Sequence, residues 1–242
     1  ILHYFQKNVL VDGNDMKISW LGHSTFLLIF NNSKIIIDPF LKNNPVFNND
    51  NFESVTNKIT HIVLSHGHSD HLGDTIEIAK KNNSKVIANA DLCSYLSFNG
   101  LNNLSPGNTG GTIIEDKFSV TFTQAKHSSA IIDKNGTSHS LGNANGLIFH
   151  INNEKTIYHM GDTDIFGDMK LIDELHKPSI GIVPIGDRFT MGGAVAALAC
   201  RRYFNFEKII PCHYGTFDLI DKDPSKFLEA MEDDSIKVIK MN

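Results

Sequence analysis

Cysteine is scarce in this sequence of 242 residues, which contains only Cys93, Cys200 and Cys212. None of the three has a partner at the Cys-x-x-Cys spacing of a metal or redox motif, and an odd number of scattered cysteines argues against a disulfide framework. A free cysteine usually behaves as a small buried hydrophobe. We therefore expect three buried, unreactive thiols.

Long apolar runs and blocks of like charge are also missing from the sequence. No stretch approaches the roughly 18 apolar residues of a membrane-spanning helix. The N-terminus lacks the basic region and long apolar run of an export signal. The formal net charge is −5, which provides no general attraction to nucleic acids or anionic membranes. These absences predict a cytoplasmic protein with no membrane partner, and they disfavour a nucleic acid partner.

The order of the predicted elements indicates an α/β fold. Hydrophobic residues make up 41% of the chain, enough for a large core. No change in composition marks a boundary, so residues 16–242 are interpreted as one domain and residues 1–15 as an N-terminal extension of unknown order. Strands dominate first and later alternate with helices, which predicts two mixed β-sheets packed face to face with helices outside. The predicted strands are 16–22, 24–30, 34–38, 61–65, 85–88, 117–127, 145–151, 155–160, 180–185, 207–213 and 236–240, and the predicted helices are 74–82, 90–99, 165–176, 191–204 and 223–232.

Residues 61–74, HIVLSHGHSDHLGD, place imidazoles and carboxylates directly after an apolar strand. Neutral imidazole and carboxylate are ligands for Zn, Mn or Fe. His66 and His68 would face one ion, and Asp70 and His71 a second. Desolvating so many polar groups without a partner would be costly, so the segment predicts half of a dinuclear metal site.

Three later strand ends offer the remaining ligands, namely His127, Asp162 and His213. Asp162 lies in the sequence GDTD, and its two carboxylate oxygens can bridge two cations. His139 is a rival to His127 for the third ligand position. We prefer His127 because it ends a predicted strand, whereas His139 lies in a loop rich in Gly and Asn, where it can also contact substrate.

These motifs resemble the metallo-β-lactamase superfamily. The resemblance lies in SHGHSDH, His127, GDTD and PCHYGT. The segments WLGHSTFLLIF, IIIDPF and PIGDRFTMG narrow it to small single-domain metal-dependent hydrolases related to L-ascorbate-6-phosphate lactonase. The resemblance implies a four-layer αβ/βα sandwich of two mixed sheets, with the site at the edge between them.

The resemblance also implies a role for each matching residue. One metal would be held by His66, His68 and His127, the other by Asp70, His71 and His213, and Asp162 would bridge them. Asp38 would brace the His-rich loop from outside the ligand set. His23, in the GHS turn, is expected near the site, either in a hydrogen-bonding role or in contact with substrate. The other histidines are expected to be structural: His3, His61, His150, His159 and His176.

The expected chemistry is attack by a hydroxide bound to two divalent ions, with Asp70 and Asp162 as catalytic residues. Two dications against Asp70, Asp162 and hydroxide leave about one net positive charge, which favours a small anionic substrate: an ester, lactone or phosphodiester. Arg188 and Thr190, the expected N-cap of helix 191–204, would add an anion contact. Related sequences commonly carry Pro and an acidic residue just after TMG, whereas this chain continues from Gly192 with Gly193-Ala194-Val195, so substrate preference does not transfer from them.

Three other functions compete with hydrolysis of a small substrate. A di-iron redox centre would be expected to carry Glu at the position of His68. An RNA-processing nuclease would need an inserted domain or an RNA-gripping arm, and the sequence has no basic run. A metal-dependent sensor or binding protein without turnover would keep the same ligands, because fold does not fix function. The sequence is compatible with a homo-oligomer.

Overall fold

The computed structural model describes residues 7–10 and 16–239. These residues form two β-sheets, a separate β-hairpin and a set of short helices. The strands are β1 (Lys7–Leu10), β2 (Lys17–Trp20), β3 (Phe26–Phe30), β4 (Ser33–Ile37), β5 (His61–Val63), β6 (Lys85–Asn89), β7 (Leu104–Gly107), β8 (Thr112–Ile114), β9 (Phe118–Gln124), β10 (Ala130–Ile132), β11 (Ser138–Ser140), β12 (Asn145–Ile151), β13 (Ile157–His159), β14 (Ile180–Pro184) and β15 (Lys208–Cys212). The helices are α1 (Phe52–Thr56), α2 (Ser69–Leu72), α3 (Thr75–Asn82), α4 (Ala90–Phe98), α5 (Met169–His176), α6 (Gly193–Tyr203) and α7 (Ser225–Met231).

Both sheets are mixed. The first has the strand order β1-β2-β3-β4-β5-β6-β7, antiparallel up to β4 and parallel from β4 to β7. The second has the order β15-β14-β13-β12-β9-β8, with parallel pairs only among β13, β14 and β15. Strands β10 and β11 form a separate hairpin. The expected arrangement of two mixed sheets is confirmed.

Alternating side chains of the first sheet divide the core into two layers. Ile35 and Ile37 of β4 pack between the sheets against β9 and β12, whereas Ile36 faces the opposite layer with residues of α1, α3 and α4. This is the side-chain period of two that a strand buried on both faces requires. Residues of α5, α6 and α7 join the core of the second sheet. The expected four-layer αβ/βα sandwich is therefore confirmed.

Several element boundaries differ from the sequence-based expectations. The strand expected over 117–127 ends at Gln124, and the helix expected over 165–176 begins at Met169. The strand expected over 236–240 is wrong for residues 236–239, which form no strand. Its last residue, Lys240, lies outside the described residues. A 3-10 helix, Glu232–Lys237, covers the first part of this region, and Lys237 forms an ion pair of 2.9 Å with Asp234. In place of the expected strand pairing, Val238 forms an isolated parallel β-bridge with Ile209.

The expected N-cap at Thr190 is wrong, because the cap of α6 is Gly192 in an extended conformation. An isolated bridge to Gly186 holds Gly192 extended, so the helix starts late. Its first turn then packs closely on α7. A Cβ at Gly193 would lie 2.6 Å from the backbone nitrogen of Phe227. Thr190 instead turns its hydroxyl to the carbonyl of Met191, at 3.3 Å.

Short polar strands escaped the sequence analysis. Strands β7, β8, β10 and β11 have three or four residues each, too few to establish an alternating pattern. Strand β1 lies inside the predicted extension and pairs antiparallel with β2 at the edge of the first sheet. The remaining residues of that extension, 1–6 and 11–15, lie outside the described residues. None of the described helices is long and apolar enough to cross a membrane.

The three thiols are free and buried, and we expect them to be unreactive in the native protein. Burial raises the pKa of Cys93 to about 11, that of Cys200 to about 12, and that of Cys212 well above its usual value. Only the thiolate attacks a disulfide reagent, and at pH 8 a thiol of pKa about 11 is roughly one-thousandth ionised. Native protein should therefore release almost no thionitrobenzoate from Ellman's reagent, whereas guanidinium should expose three reactive thiols. Rapid labelling of native protein would contradict this expectation.

Candidate metal centre

The seven expected ligands lie where strands of both sheets end. His66 and His68 follow β5, and the short helix α2 carries Asp70 and His71. The other three follow strands of the second sheet: His127 comes after β9, Asp162 after β13 and His213 directly after β15. The edge shared by the two sheets therefore brings together residues that are up to 147 positions apart in the sequence, from His66 to His213.

Asp162 lies at the centre of this cluster. Its Oδ2 is 3.1 Å from His213 Nε2 and 3.2 Å from His71 Nε2. The same oxygen is 3.6 Å from His127 Nε2 and 4.0 Å from His66 Nε2. One carboxylate oxygen thus meets two histidines from each of the two expected ligand sets. Gly161 makes this approach feasible, since its φ is +65° and a Cβ would lie 2.5 Å from the carbonyl oxygen of Asn145.

The first expected set, His66, His68 and His127, converges through ring nitrogens. His68 Nδ1 is 2.9 Å from His66 Nε2 and 3.3 Å from His127 Nε2. Its other nitrogen, Nε2, is 3.2 Å from the hydroxyl of Ser128. His68 therefore faces the cluster with Nδ1 while the other two use Nε2, a difference that residue spacing does not reveal.

The second expected set has His23 as a fourth member. Side-chain nitrogen and oxygen atoms of Asp70, His71, His213 and His23 lie within 4.8 Å of one another. His23 Nε2 is 3.0 Å from Asp70 Oδ2, and His71 Nε2 is 3.8 Å from the same oxygen. His23 is fully buried, and its ring centroid is 4.0 Å from that of His213. It lies next to the ligand set, as expected for a hydrogen-bonding residue.

Asp38 orients ligands of both sets. It accepts a hydrogen bond of 2.8 Å from His71 Nδ1, and it accepts two more from Ser65, at 2.8 Å from the backbone nitrogen and 2.6 Å from the hydroxyl. Since the hydroxyl hydrogen of Ser65 goes to Asp38, its oxygen accepts from His66 Nδ1, at 3.0 Å. In their neutral forms, both imidazoles therefore keep their Nδ1 hydrogen away from the cluster and turn an unprotonated Nε2 toward it.

The buried polar atoms at the centre fit a cation. His71 Nε2, Asp162 Oδ1 and both ring nitrogens of His213 are buried without a hydrogen-bond partner of adequate geometry. Within the described part of the chain, the carboxylates of Asp38, Asp70 and Asp162 form ion pairs with histidines alone, and no Lys or Arg reaches them. Buried carboxylates of this density require positive charge nearby, which divalent cations supply.

The pKa shifts agree with a ligand role for these groups. Burial lowers the pKa of His66, His68 and His127, so these rings are neutral at pH 7, the form that binds metal. Burial alone would raise the pKa of Asp162, but His213 and His71 hold it well below its usual value. Burial alone would lower the pKa of His71, yet Asp162, Asp70 and Asp38 raise it well above its usual value. The three carboxylates therefore favour a proton on His71, a positive charge that a bound cation would replace.

Three buried residues at this site have left-handed backbone conformations. The φ angles are +52° at His23, +45° at Asp38 and +58° at His213, and all three are almost inaccessible to solvent. A non-glycine residue in this region costs about 1–3 kcal/mol, and such strain concentrates at functional sites. Asp and His adopt this region more often than most residues, but the sequence does not single out these three among its other Asp and His residues.

The remaining candidates lie outside the ligand groups of the described residues. His139, on hairpin strand β11, has its Nε2 2.9 Å from Asp133 Oδ2. Arg188 is exposed, with its guanidinium 5.8 Å from the ring centroid of Phe189. Thr190 is half-buried in the same loop. Their expected contacts with substrate stay predictions.

His159 is a site neighbour that the sequence analysis took for a structural residue. Its Nδ1 accepts a hydrogen bond of 3.1 Å from the backbone nitrogen of Gly161, so its Nε2 donates to the carbonyl of Ser24, at 3.2 Å. The ring thereby joins the loop of Asp162 to the turn of His23. Its position at the end of β13, three residues before Asp162, was the available signal.

Comparison with known proteins identifies the family. The model of the β-lactamase superfamily domain matches residues 17–213. The chain belongs to this superfamily. It is 59% identical over 217 residues to UPF0173 metal-dependent hydrolases of Agrobacterium fabrum and Sinorhizobium medicae, which covers 90% of the chain and 93% of each relative.

A solved structure supports the same assignment. Igni18, a metallo hydrolase from the archaeon Ignicoccus hospitalis, matches with a TM-score of 0.81 and 30% identity, over 93% of this chain and 94% of that one. The expected family is confirmed, and the protein is a metal-dependent hydrolase of the β-lactamase superfamily. The narrower relation to L-ascorbate-6-phosphate lactonase stays a prediction.

Proposed function

We propose that this hydrolase uses two divalent ions, Zn or alternatively Mn or Fe, to cleave a small anionic ester, lactone or phosphodiester. His66, His68 and His127 would hold one ion, Asp70, His71 and His213 the other, and Asp162 would bridge them. The observation that carries the proposal is the central position of Asp162, whose Oδ2 lies within 4.0 Å of four histidines drawn from both sets. A single-metal site would not need carboxylate contact with both sets.

The residues of the site divide the work of hydrolysis. Bound divalent ions would supply Lewis acidity and make hydroxide available near neutral pH. Asp70 has a side chain that is 29% exposed, so it is the carboxylate of the ligand set that solvent and substrate reach most readily. Burial alone would raise its pKa, but His71 and the hydrogen bond from His23 hold the pKa well below its usual value. Asp70 therefore stays ionised, and it can orient the attacking water and accept a hydrogen bond from it.

His23 positions Asp70 in this scheme. Burial and the neighbouring His213 lower the pKa of His23 to about 4, so the ring is neutral at pH 7. An ionised carboxylate only accepts, so His23 Nε2–H donates to Asp70, and Nδ1 accepts from the hydroxyl of Thr216, at 3.1 Å. The chain Thr216–His23–Asp70 fixes one carboxylate oxygen and leaves the other free for a metal.

Thr216→Val is expected to weaken metal binding by up to about tenfold. Direct partners of metal ligands are typically worth about 10–100-fold in metal affinity, and Thr216 acts on Asp70 one step further away, through His23. Valine has nearly the shape of threonine and removes only the hydroxyl that donates to His23. Thr216→Ser keeps that donor and should restore the affinity. Competition with a chromophoric zinc chelator measures the affinity, and the absorption spectrum of the Co(II) form reports the ligand geometry. Equal affinities in the Val and Ser variants would contradict the positioning role.

The proposed activity is tested on metal-reconstituted protein with a panel of bis(p-nitrophenyl) phosphate, carboxylate-bearing esters, lactones and single-stranded RNA. We expect metal-dependent turnover of one or more small anionic substrates and none in a His68→Ala variant. Turnover of RNA alone would support the nuclease alternative. Stoichiometric metal without turnover of any compound would support a sensor or binding role. Arg188 and His139 are proposed contacts for the anionic part of the substrate, to be tested once a substrate is found.

A further inference from the structure

Aromatic rings lie beside the metal centre on the side of Asp70 and His213. Phe217 follows His213 by four residues, and its ring packs edge-on against His23, with 5.3 Å between centroids. Phe40, two residues after Asp38, packs edge-on against His23 at 5.8 Å and lies 6.1 Å from Phe217. We call Phe40 and Phe217 the aromatic wall.

The aromatic wall opens to solvent next to an exposed ligand. His23 is fully buried and Phe40 is 7% exposed, whereas Phe217 is 38% exposed. The side chain of Asp70, bonded to the same His23, is 29% exposed. Asp70 and Phe217, both reachable from solvent, therefore contact the same buried ring of His23. A partly exposed Phe is common on protein surfaces, but this one stands directly beside the centre of the chemistry.

The segment that carries Phe217 is held in place rather than free to move away. Thr216 bonds to His23, and the ring of Tyr214 packs on Trp20 with 5.1 Å between centroids. Backbone hydrogen bonds of 2.8 Å run from Gly215 to Asp221 and from Asp221 to Gly186, so the segment is tied to the loop after β14. A ring fixed in this way forms a preformed binding surface, and preformed surfaces lower the entropy cost of binding.

We propose that the aromatic wall is a binding subsite for an aromatic ring of the substrate, attached next to the anionic group that lies at the metal centre. The inference rests on the proposed function, since it assumes that the anionic group is bound beside Asp70. It narrows the substrate class from any small anion to an aryl-substituted one. Offset or edge-to-face contact with the exposed Phe217 ring favours a flat aromatic group over a small alkyl group.

The test compares two anions that differ only in the proposed contact, phenylphosphonate and methylphosphonate. Each is titrated calorimetrically into zinc-reconstituted protein, with zinc-stripped protein as the reference. We expect wild-type protein to bind phenylphosphonate about tenfold more tightly than methylphosphonate, consistent with the strength of aromatic pairs. Phe217→Ala should reduce this preference to about twofold and leave the methylphosphonate affinity unchanged. Phe98→Ala, a matched control at an exposed ring on α4, should keep the full preference.

The outcomes separate this inference from the proposed function. Zinc-dependent binding of methylphosphonate without a preference for phenylphosphonate would overturn the aromatic subsite and leave the anion site standing. A preference that persists in Phe217→Ala would also overturn it. Failure of zinc-loaded protein to bind either anion would overturn the proposed anion specificity and the subsite with it. The wild-type comparison of the two anions needs no variant, so it tests the aromatic subsite even if Phe217→Ala lowers stability. The zinc content of each variant checks that it is folded.

Discussion

Asp162→Asn is expected to abolish both metal binding and hydrolysis. The proposed stoichiometry of the wild-type protein is about two ions per chain. The substitution keeps the shape of the side chain but removes the charge that four histidine Nε2 atoms surround within 4.0 Å. Loss of a partner that merely orients a ligand costs about 10–100-fold in metal affinity, and loss of a carboxylate that contacts both ligand sets should exceed about 100-fold. Elemental analysis of protein purified without chelator or nickel affinity resin measures the effect.

The chain offers a matched control for this experiment in the same GDTD motif. Asp164 is exposed, and its carboxylate accepts a hydrogen bond of 2.7 Å from the backbone nitrogen of Ile165. Asp164→Asn should therefore retain full metal content and activity. A wild-type protein that takes up less than one ion per chain even after reconstitution, or an Asp162→Asn variant that keeps two, would refute the dinuclear site.

Asp38→Asn should lower both the stability of the protein and its affinity for metal. Asp38 is fully buried and accepts three hydrogen bonds, from Ser65 N, Ser65 Oγ and His71 Nδ1. In an asparagine, the amide nitrogen replaces one accepting oxygen and points its two hydrogens at donors that it cannot accept from. The resulting unsatisfied groups should cost about 2–4 kcal/mol in the free energy of unfolding, or about 5–12 °C in Tm for a domain of this size.

The metal affinity of this variant should fall about 10–100-fold. His71 loses the acceptor of its Nδ1 hydrogen, and Ser65, which accepts from His66, loses the acceptor of its own hydroxyl hydrogen. Asp74 provides the control, since it also accepts two backbone hydrogen bonds, from Leu41 at 2.9 Å and Lys42 at 3.0 Å, but it is only half-buried and touches no candidate ligand. Asp74→Asn should shift Tm slightly and leave zinc affinity unchanged. Denaturant unfolding of stripped and loaded protein separates the two effects. Equal zinc affinities in the two variants would contradict the role of Asp38.

Several features of the fold followed from sequence because they depend on local patterns. The consecutive apolar residues of β3, β4 and β12 identify strands buried in the sandwich, and the structure confirms these elements within one or two residues. The expected helix over 90–99 is likewise confirmed as α4. The failures lie where tertiary contacts override the pattern. The late start of α6 follows from an isolated bridge that holds Gly192 extended against Gly186. The 3-10 helix near the end of the chain replaces a strand whose partner offers a single bridge.

The sequence by itself determined which residues can act as ligands, because HGHSDH and the three later strand ends concentrate imidazoles and carboxylates in a way that a core or a solvated surface would not. It also determined the family and the layered fold through strand periodicity and motif order. Only the tertiary structure decided how the ligands face the centre. The Nδ1 orientation of His68, the left-handed backbone at His23, Asp38 and His213, and the bracing by His159 and Thr216 arise from contacts between residues far apart in the chain. Spacing along a sequence records which groups are available, whereas their orientation depends on partners that only folding brings within hydrogen-bonding distance.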